Sequence, residues 1–316
     1  MNLSRAQEIL AKFSNLKIAV IGDIGIDLYT QGDVERISPE APVPVLGVNK
    51  EWNKLGLAAN VAENLKTLGV KSTLIGLVGN DETAKDLKKL CEENHIESVF
   101  LEDSSRRTTL KQRVLAGNQQ ICRVDYESIE DLSDELSEKL LSLIDTDSYD
   151  GFIIQDYGKG LFTKNNLVKI LSKIKSSNKM IMVDPSVKKS IKDYQGCSLF
   201  KPNHKEALSF SKELGETTVN LEALKAACKA DAIAMTKGAE GIYLLSSDFN
   251  ERVETASIAV FDVSGAGDTT LSALTSGLLS GASLKEAAQL ANIASSIVVG
   301  KVGTATVSQS EILDTL

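Results

Sequence analysis

Short apolar runs alternate with stretches whose apolar residues recur every three or four positions along most of the chain. Leu16 to Ile21 is a run of the first kind, closed by Gly22-Asp23, and predicts a buried strand. After Gly56, residues Ala58, Val61, Ala62 and Leu65 make a helical stripe that Gly69 ends. The alternation continues with strands expected over Val70 to Val78, Val99 to Leu101, Gly151 to Ile154, Met180 to Val183, Leu199-Phe200 and Ala232 to Met235. Helices are expected over Thr83 to Glu93, Leu132 to Ile144, Asn166 to Ile174, Leu221 to Ala230, Thr269 to Ser280 and Leu284 to Val298. Gly241 to Leu245 reads as a hairpin partner of the strand before it. Such a pattern predicts an α/β fold, an open and mostly parallel sheet with helices on both faces.

Two stretches break the alternation. Tyr29 to Val48 holds Pro39, Pro42 and Pro44, three of the five prolines, and suits an extended edge. Thr108 to Tyr126 reads as a hairpin turning at Ala116-Gly117-Asn118. Together, over about residues 29–48 and 108–126, they are expected to form a small β-sheet lid over the strand ends. With no repeat and no break in composition, residues 1–316 are expected to make one domain.

Composition narrows the class. Of 316 residues, 42% are hydrophobic and 25% charged, enough for a large core. The net charge of −8 speaks against a nucleic-acid partner, which favours a basic patch, and leaves a small anionic substrate open. No run approaches the ~18 apolar residues of a membrane span, and Met1 to Arg5 begins no secretory signal. Cys91, Cys122, Cys197 and Cys228 lack a C-x-x-C spacing and read as reduced thiols of a cytoplasmic protein. His95 and His204 are too few for a zinc centre of the usual kind.

Polar residues gather just past the expected strand ends: Asp27, Asp156-Tyr157, Asp184, Asn203, Thr236-Lys237-Gly238 and Asp268. Ligands bind at that edge of open α/β sheets. Neither G-x-x-x-x-G-K-[ST] nor a G-x-G-x-x-G after the first strand occurs, which excludes the usual P-loop and dinucleotide sites. The stretch Val260 to Thr270, V-F-D-V-S-G-A-G-D-T-T, reads as strand, glycine turn and helix start. Backbone N–H groups at such a helix start bind anionic oxygens, and a carboxylate beside them, Asp268, can take a proton from an attacking hydroxyl. The competing explanations are an N-capping Asp268 and, for Asp27, a solvated loop aspartate.

Asp262-Val263-Ser264-Gly265-Ala266-Gly267-Asp268 resembles the signature of the ribokinase-like carbohydrate kinases. Gly22 to Asp27 and Gly56-Leu57-Ala58-Ala59-Asn60 are similar to that family's N-terminal motifs, with Leu57 where a second glycine is usual. Within it, Arg36-Ile37-Ser38-Pro39-Glu40-Ala41-Pro42-Val43-Pro44-Val45, Thr109 to Val114, Asn118 to Gln120, Arg123-Val124-Asp125, Asp156 to Gly160, Asp184-Pro185 and Val299 to Ser308 resemble the heptose 7-phosphate kinases. The resemblance runs from about Ile18 to the C-terminus and implies a stand-alone kinase without the fused cytidylyltransferase-like domain.

The resemblance implies ATP-dependent phosphorylation of the anomeric O1 of D-glycero-β-D-manno-heptose 7-phosphate, on the route to ADP-heptose and lipopolysaccharide. Asp268 would be the base, with Gly265, Ala266 and Gly267 forming the anion hole. Asn203, His204, Lys205, Glu206, Thr236, Lys237, Gly238, Gly241 and Asn292 would line the nucleotide, and Asn203 and Glu206 would meet Mg²⁺ through water. Asp27, Asn60 and Asp184 would orient sugar hydroxyls. Arg36, Lys111, Arg113 and Lys159 would hold the 7-phosphate, each with an ordinary surface charge as its alternative. Asp262, Ser264 and Gly303 would border a monovalent cation such as K⁺, and the enzyme would be a homodimer. The alternatives are a kinase of this fold for another sugar phosphate or nucleoside, and a non-catalytic sugar-phosphate sensor.

Overall fold

The computed structural model describes residues 1–117, 119–255, 261–301 and 303–316. In chain order its elements are α1 (Leu3–Ala11), β1 (Lys17–Gly22), β2 (Ile24–Ile37), β3 (Pro44–Leu57), α2 (Ala58–Thr67), β4 (Lys71–Val78), α3 (Glu82–Glu93), β5 (Glu97–Glu102), β6 (Thr109–Ala116), β7 (Gln119–Tyr126), α4 (Asp134–Leu143) and β8 (Gly151–Gln155). Then come α5 (Lys164–Ser176), β9 (Met180–Asp184), β10 (Leu199–Phe200), α6 (His204–Glu213), α7 (Leu221–Cys228), β11 (Ala232–Thr236), β12 (Ile242–Leu245), β13 (Asn250–Val253), α8 (Ala266–Leu279), α9 (Leu284–Val299) and α10 (Gln309–Thr315).

The apolar runs pair because a strand buried on both faces has no polar side to show to water. Nine strands line up in the order β13-β12-β11-β10-β9-β8-β1-β4-β5. Those from β11 to β5 are parallel, and β12 and β13 close one edge as antiparallel partners. Successive residues of β1 point to opposite faces. Ile18 and Val20 enter a core shared with α1, α2, α8 and α9, while Ala19 and Ile21 enter a second core under α4, α5 and α7. Each large apolar side chain so buried contributes about 1.5–3 kcal/mol. The chain leaves β1 toward β4 on one side and β8 on the other, which opens a crevice beyond their carboxyl ends.

Four strands make a smaller sheet in the order β3-β2-β6-β7. β2 and β3 pair antiparallel from Ile24↔Leu57 out to Ile37↔Pro44, and β6 pairs parallel with β2. The strands are longer than the proline-marked stretch suggests. Only Asp23 separates β1 from β2, so one chain segment serves both sheets. One face of this sheet carries Ile26 and Leu55 into the first core. By alternation and register Asp27, Tyr29, Trp52, Lys54, Lys111 and Arg113 share the other face. The Tyr29 hydroxyl accepts from Thr304 N at 3.2 Å and Lys54 Nζ donates to Thr304 O at 2.6 Å, so that polar face looks onto the C-terminal loop.

Several expectations are corrected. Of the strand expected at Val260-Phe261, Val260 lies outside the described residues, and Phe261 to Ser264 is irregular with Phe261 60% exposed. Asn118 of the β6–β7 turn is likewise outside them. α8 begins at Ala266, three residues before the expected Thr269, because Gly265 takes the N-cap with φ +79°. Asp268 therefore sits inside the first turn and is not a capping residue. Helices α1, α6 and α10 and strand β13 were not expected.

Candidate active site

The first turn of α8 is shaped by Gly265. Its positive φ favours glycine, and a Cβ there would stand 2.8 Å from Asn60 Nδ2. Among the described residues Ala266 N donates to Val263 O at 3.3 Å, and the N–H groups of Gly265, Gly267 and Asp268 have no backbone acceptor. Unsatisfied N–H groups at a helix start carry the positive end of its dipole. Asp268, 7% exposed, lies beside them. Its Oδ2 accepts from Asn60 Nδ2 at 2.7 Å and its Oδ1 from the Tyr157 hydroxyl at 2.9 Å. Burial pushes its carboxyl up to about 6, helped by the negative charge of Asp184 and opposed by the two hydrogen bonds and by Lys201.

Lys201, only 2% exposed, pairs with Asp184 at 3.0 Å. Burial alone would lower its ammonium, but Asp184 and Glu206 outweigh that and hold it above its ordinary value. A Cβ on Gly267 would lie 3.9 Å from Lys201 Nζ, so a positive charge stands under the helix start. Asp184 also accepts from Gln155 Nε2 at 3.1 Å. Asn60 thus bonds Asp268 directly, and Asp184 acts on it through its charge. Lys201 and Asp23 were missed, and Tyr157 was noted only as part of a polar cluster. Lys201 and Asp23 directly follow β10 and β1, and Tyr157 lies two residues past β8.

Asp27 faces the crevice from β2. Arg113 Nη2 stands 3.2 Å from its Oδ1, yet that oxygen and Arg113 Nη1 are buried without a hydrogen bond to any described residue. Burial raises the Asp27 carboxyl, with Arg113 and Lys111 opposing. Two orphaned polar atoms of opposite character suit a ligand that both donates and accepts. Lys111 pairs with Asp125 at 3.0 Å and with Glu127 at 3.4 Å, and Lys159 pairs with Glu127 at 2.5 Å. Arg36 does not join them. It is exposed near the far end of β2, nine residues beyond Asp27, roughly 30 Å at ~3.3 Å per residue.

A cavity of about 320 Å³ opens on the other side of α8. Thr236, Gly238, Gly241, Ala266, Gly267 and Asn292 are among its lining residues. Asn292 also ties down the end of β13, donating to Val253 O at 2.8 Å. Lys237 is turned away to pair with Glu240 at 3.0 Å, and His204, Lys205, Asn203 and Glu206 sit at the start of α6 outside the cavity lining. Asn203 and Glu206 form a capping box: Asn203 Oδ1 accepts from Lys205 N and Glu206 N, and Glu206 Oε2 accepts from Asn203 N. One Glu206 oxygen remains for water or a hydrated cation. Burial first, then Asp184, holds that carboxyl well above the usual range. No cluster of three or more His, Cys, Asp or Glu able to hold a metal occurs among the described residues. Mg²⁺ fits here only as an ion carried by phosphates and reached through water.

Asp262 accepts from Ser264 N and from Gly303 N, both at 2.9 Å. It thereby closes the loop before α8 onto the C-terminal loop, where Thr304 Oγ1 is buried without a partner among the described residues. A carboxylate and an orphaned hydroxyl oxygen fit the oxygen ligation of a monovalent cation.

Residues 15–311 match the pfkB family carbohydrate kinase. The chain belongs to this family. It is 38% identical over 312 residues to the bifunctional protein HldE of Sulfurimonas denitrificans, covering 96% of this chain and 65% of that protein. To HldE of Wolinella succinogenes it is 38% identical over 319 residues, 98% of this chain and 66% of that one. The chain thus spans a little under two thirds of these relatives. Escherichia coli phosphofructokinase-2 in complex with potassium shares the fold, with TM-score 0.75, 19% identity and coverage of 95% and 97%. So does Arabidopsis thaliana ribokinase complexed with ribose and ATP, with TM-score 0.70, 16% identity and coverage of 95% and 98%. The fold is the ribokinase-like α/β fold, a large mostly parallel sheet with helices plus a smaller sheet. As a pfkB-family protein the chain is an ATP-dependent carbohydrate kinase. No helix among the described residues of this pfkB kinase is long and apolar enough to cross a membrane.

Proposed function

We propose that this pfkB-family kinase transfers the γ-phosphoryl group of ATP to the anomeric O1 of D-glycero-β-D-manno-heptose 7-phosphate, giving heptose 1,7-bisphosphate for ADP-heptose and lipopolysaccharide-core synthesis. The observation that carries it is Asp268, a buried carboxylate gripped on both oxygens beside unsatisfied N–H groups at the start of α8. Asp268 takes the proton of the O1 hydroxyl. The N–H groups of Gly265 and Gly267, with Ala266 turned partly to Val263 O, hold the charge that grows on the transferred group, and Lys201 adds a fixed positive charge. The nucleotide occupies the 320 Å³ cavity between Thr236, Gly238, Gly241 and Asn292. Mg²⁺, when bound, would offset the negative charge of the phosphates, and Glu206 would hold it through water. A monovalent cation beside Asp262, Ser264 and Gly303 would fix the loop that supplies the N–H groups.

Asp27, Asn60 and Asp184 orient the sugar. The orphaned Arg113 Nη1, with Lys111 and Lys159, is the seat of the 7-phosphate, while Arg36 of the same chain lies too far away to share it. The small sheet is the lid that excludes water during transfer. The relatives named HldE support a heptose substrate. Comparing kcat/KM for heptose 7-phosphate, free heptose and a hexose 6-phosphate tests the assignment. Two charge-assisted hydrogen bonds predict a preference of roughly 10²–10⁴-fold for the phosphorylated heptose over the free sugar. Equal use of both would remove the phosphate seat, and preference for the hexose phosphate would remove heptose while leaving a sugar kinase.

A further inference from the structure

We propose that Tyr157 is a positioning residue for the transfer, its hydroxyl fixing one carboxylate oxygen of Asp268 while Asn60 fixes the other. This rests on Asp268 being the base. A carboxylate held by one donor turns freely about its terminal bond. Held on both oxygens, at 2.9 and 2.7 Å, it keeps one plane, with its remaining lone pairs free for an incoming hydroxyl.

Tyr157 is itself fixed at its backbone. Its N–H donates to Asp23 Oδ2 at 2.8 Å, and the same carboxylate at the end of β1 takes the N–H groups of Lys159 at 3.1 Å and Leu161 at 3.4 Å. Within the turn Asp156 accepts from Gly158 N and from the Tyr194 hydroxyl, both at 2.7 Å. Gly158 and Gly160 take φ of +66° and +92°, and a Cβ on Gly160 would come within 1.9 Å of Glu130 O. The turn after β8 is therefore over-determined, and the phenol has one direction in which to point. Tyr157 joins the end of β1, through Asp23, to the start of α8, through Asp268.

The charges around Asp268 give the inference a signature that packing alone would not. Asp184 disfavours the ionised carboxylate, while Lys201, Asn60 and the Tyr157 hydroxyl favour it. Glu206 stands beyond Lys201. Removing the phenol oxygen therefore raises the pH at which Asp268 becomes available as a base.

The test is the pH profile of kcat and kcat/KM for ATP-dependent phosphorylation of heptose 7-phosphate by wild type, Tyr157→Phe and Asp268→Asn. In Tyr157→Phe, kcat is expected to fall roughly ten-fold or more, the loss of a hydrogen bond to a charged group. Both KM values are expected to stay within about two-fold, and the acid limb, expected near pH 6 in wild type from the raised Asp268 carboxyl, to move up by about one unit. A limb that stays in place, or a rise in KM with kcat unchanged, overturns the positioning role even if Asp268→Asn loses most turnover. Asp268→Asn turning over within a few-fold of wild type overturns both the base and its positioning residue. Should Tyr157→Phe fail to fold, 4-aminophenylalanine at 157 keeps the ring and a weaker donor. Its limb is then expected above the wild-type position, and a wild-type limb overturns the proposal.

Discussion

Asp268, the base of the proposed transfer, shows at the scale of one residue how a position suited to catalysis differs from one suited to stability. Its carboxyl, raised to about 6 by burial, binds a proton more tightly folded than unfolded, where an aspartate titrates near 3.9. Stability from this group is fully present below the unfolded value and is lost as pH rises from about 4 through about 6. Activity runs the opposite way, since the base must be ionised, so kcat/KM rises as pH passes about 6. Asp268→Asn is therefore expected to lose roughly 10²–10⁴-fold in turnover. It should also gain stability at pH 8, by roughly 1–3 kcal/mol from the size of such a shift. Urea midpoints at pH 5 and pH 8 check this: the gain should shrink at the lower pH, and a variant less stable than wild type at pH 8 would refute the account.

Between elements, the informative position is Leu57, where β3 ends and α2 begins. It takes φ +58° and ψ −134°, a backbone conformation that costs a side-chain-bearing residue about 1–3 kcal/mol. Glycine takes such a conformation without that cost, which agrees with the glycine that the resemblance to the ribokinase-like kinases leads one to expect here. The leucine is 8% exposed and regains part of the cost by burial. Leu57→Ala loses the burial and keeps the strain, whereas Leu57→Gly loses both. The glycine variant is expected to be the more stable of the two by roughly 1 kcal/mol, reversing the usual order, in which glycine trails alanine by about 0.5–1 kcal/mol. Thermal melts showing alanine equal or better would mean that the strain is absent. The main sheet was legible because strands such as β1 and β8 are uninterrupted apolar runs between glycines and polar ends. The outer limits of β2 and β3 were not, since Gly22-Asp23 reads as a strand end and Gly56 as the start of a helical stripe, which leaves only the proline-marked residues 29–48 to be read as extended. α6 was hidden although Asn203 and Glu206 stand at capping-box spacing, because the same two residues also fit a role near a cation. In the site, the motif residues Asn60, Asp184 and Asp268 could be read from sequence. The hydroxyl of Tyr157 and the ammonium of Lys201 could not, since their meaning lies in contacts made across more than sixty positions.

For the whole molecule, the small sheet raises the question of what covers its far end. β6 pairs with β2 only as far as Gly32, so residues 33–47 of the β2–β3 hairpin extend beyond the sheet as a two-stranded arm. Such an arm is marginal by itself in water. Val34, Ile37 and Val43 are exposed on it and Val48 at its base, with Ile37 61% accessible. An apolar cluster on a protruding hairpin with unpaired edges suits a symmetric contact with a second copy of the chain. The arm also carries Arg36, which cannot reach the basic residues near Asp27 within its own chain. Dimerisation through the arm is therefore expected, and it predicts that Ile37→Asp shifts the population toward monomer while leaving the main sheet folded. Sedimentation at tens of micromolar, with and without ATP and sugar phosphate, measures the shift. Limited proteolysis over 33–47 measures protection of the arm. A wild-type monomer whose arm is cut as fast with ligands as without them would exclude the arm as an interface. If instead Ile37→Asp is monomeric and its KM for the sugar phosphate rises while that for ATP holds, the arm serves the sugar side of the cleft as well as the dimer.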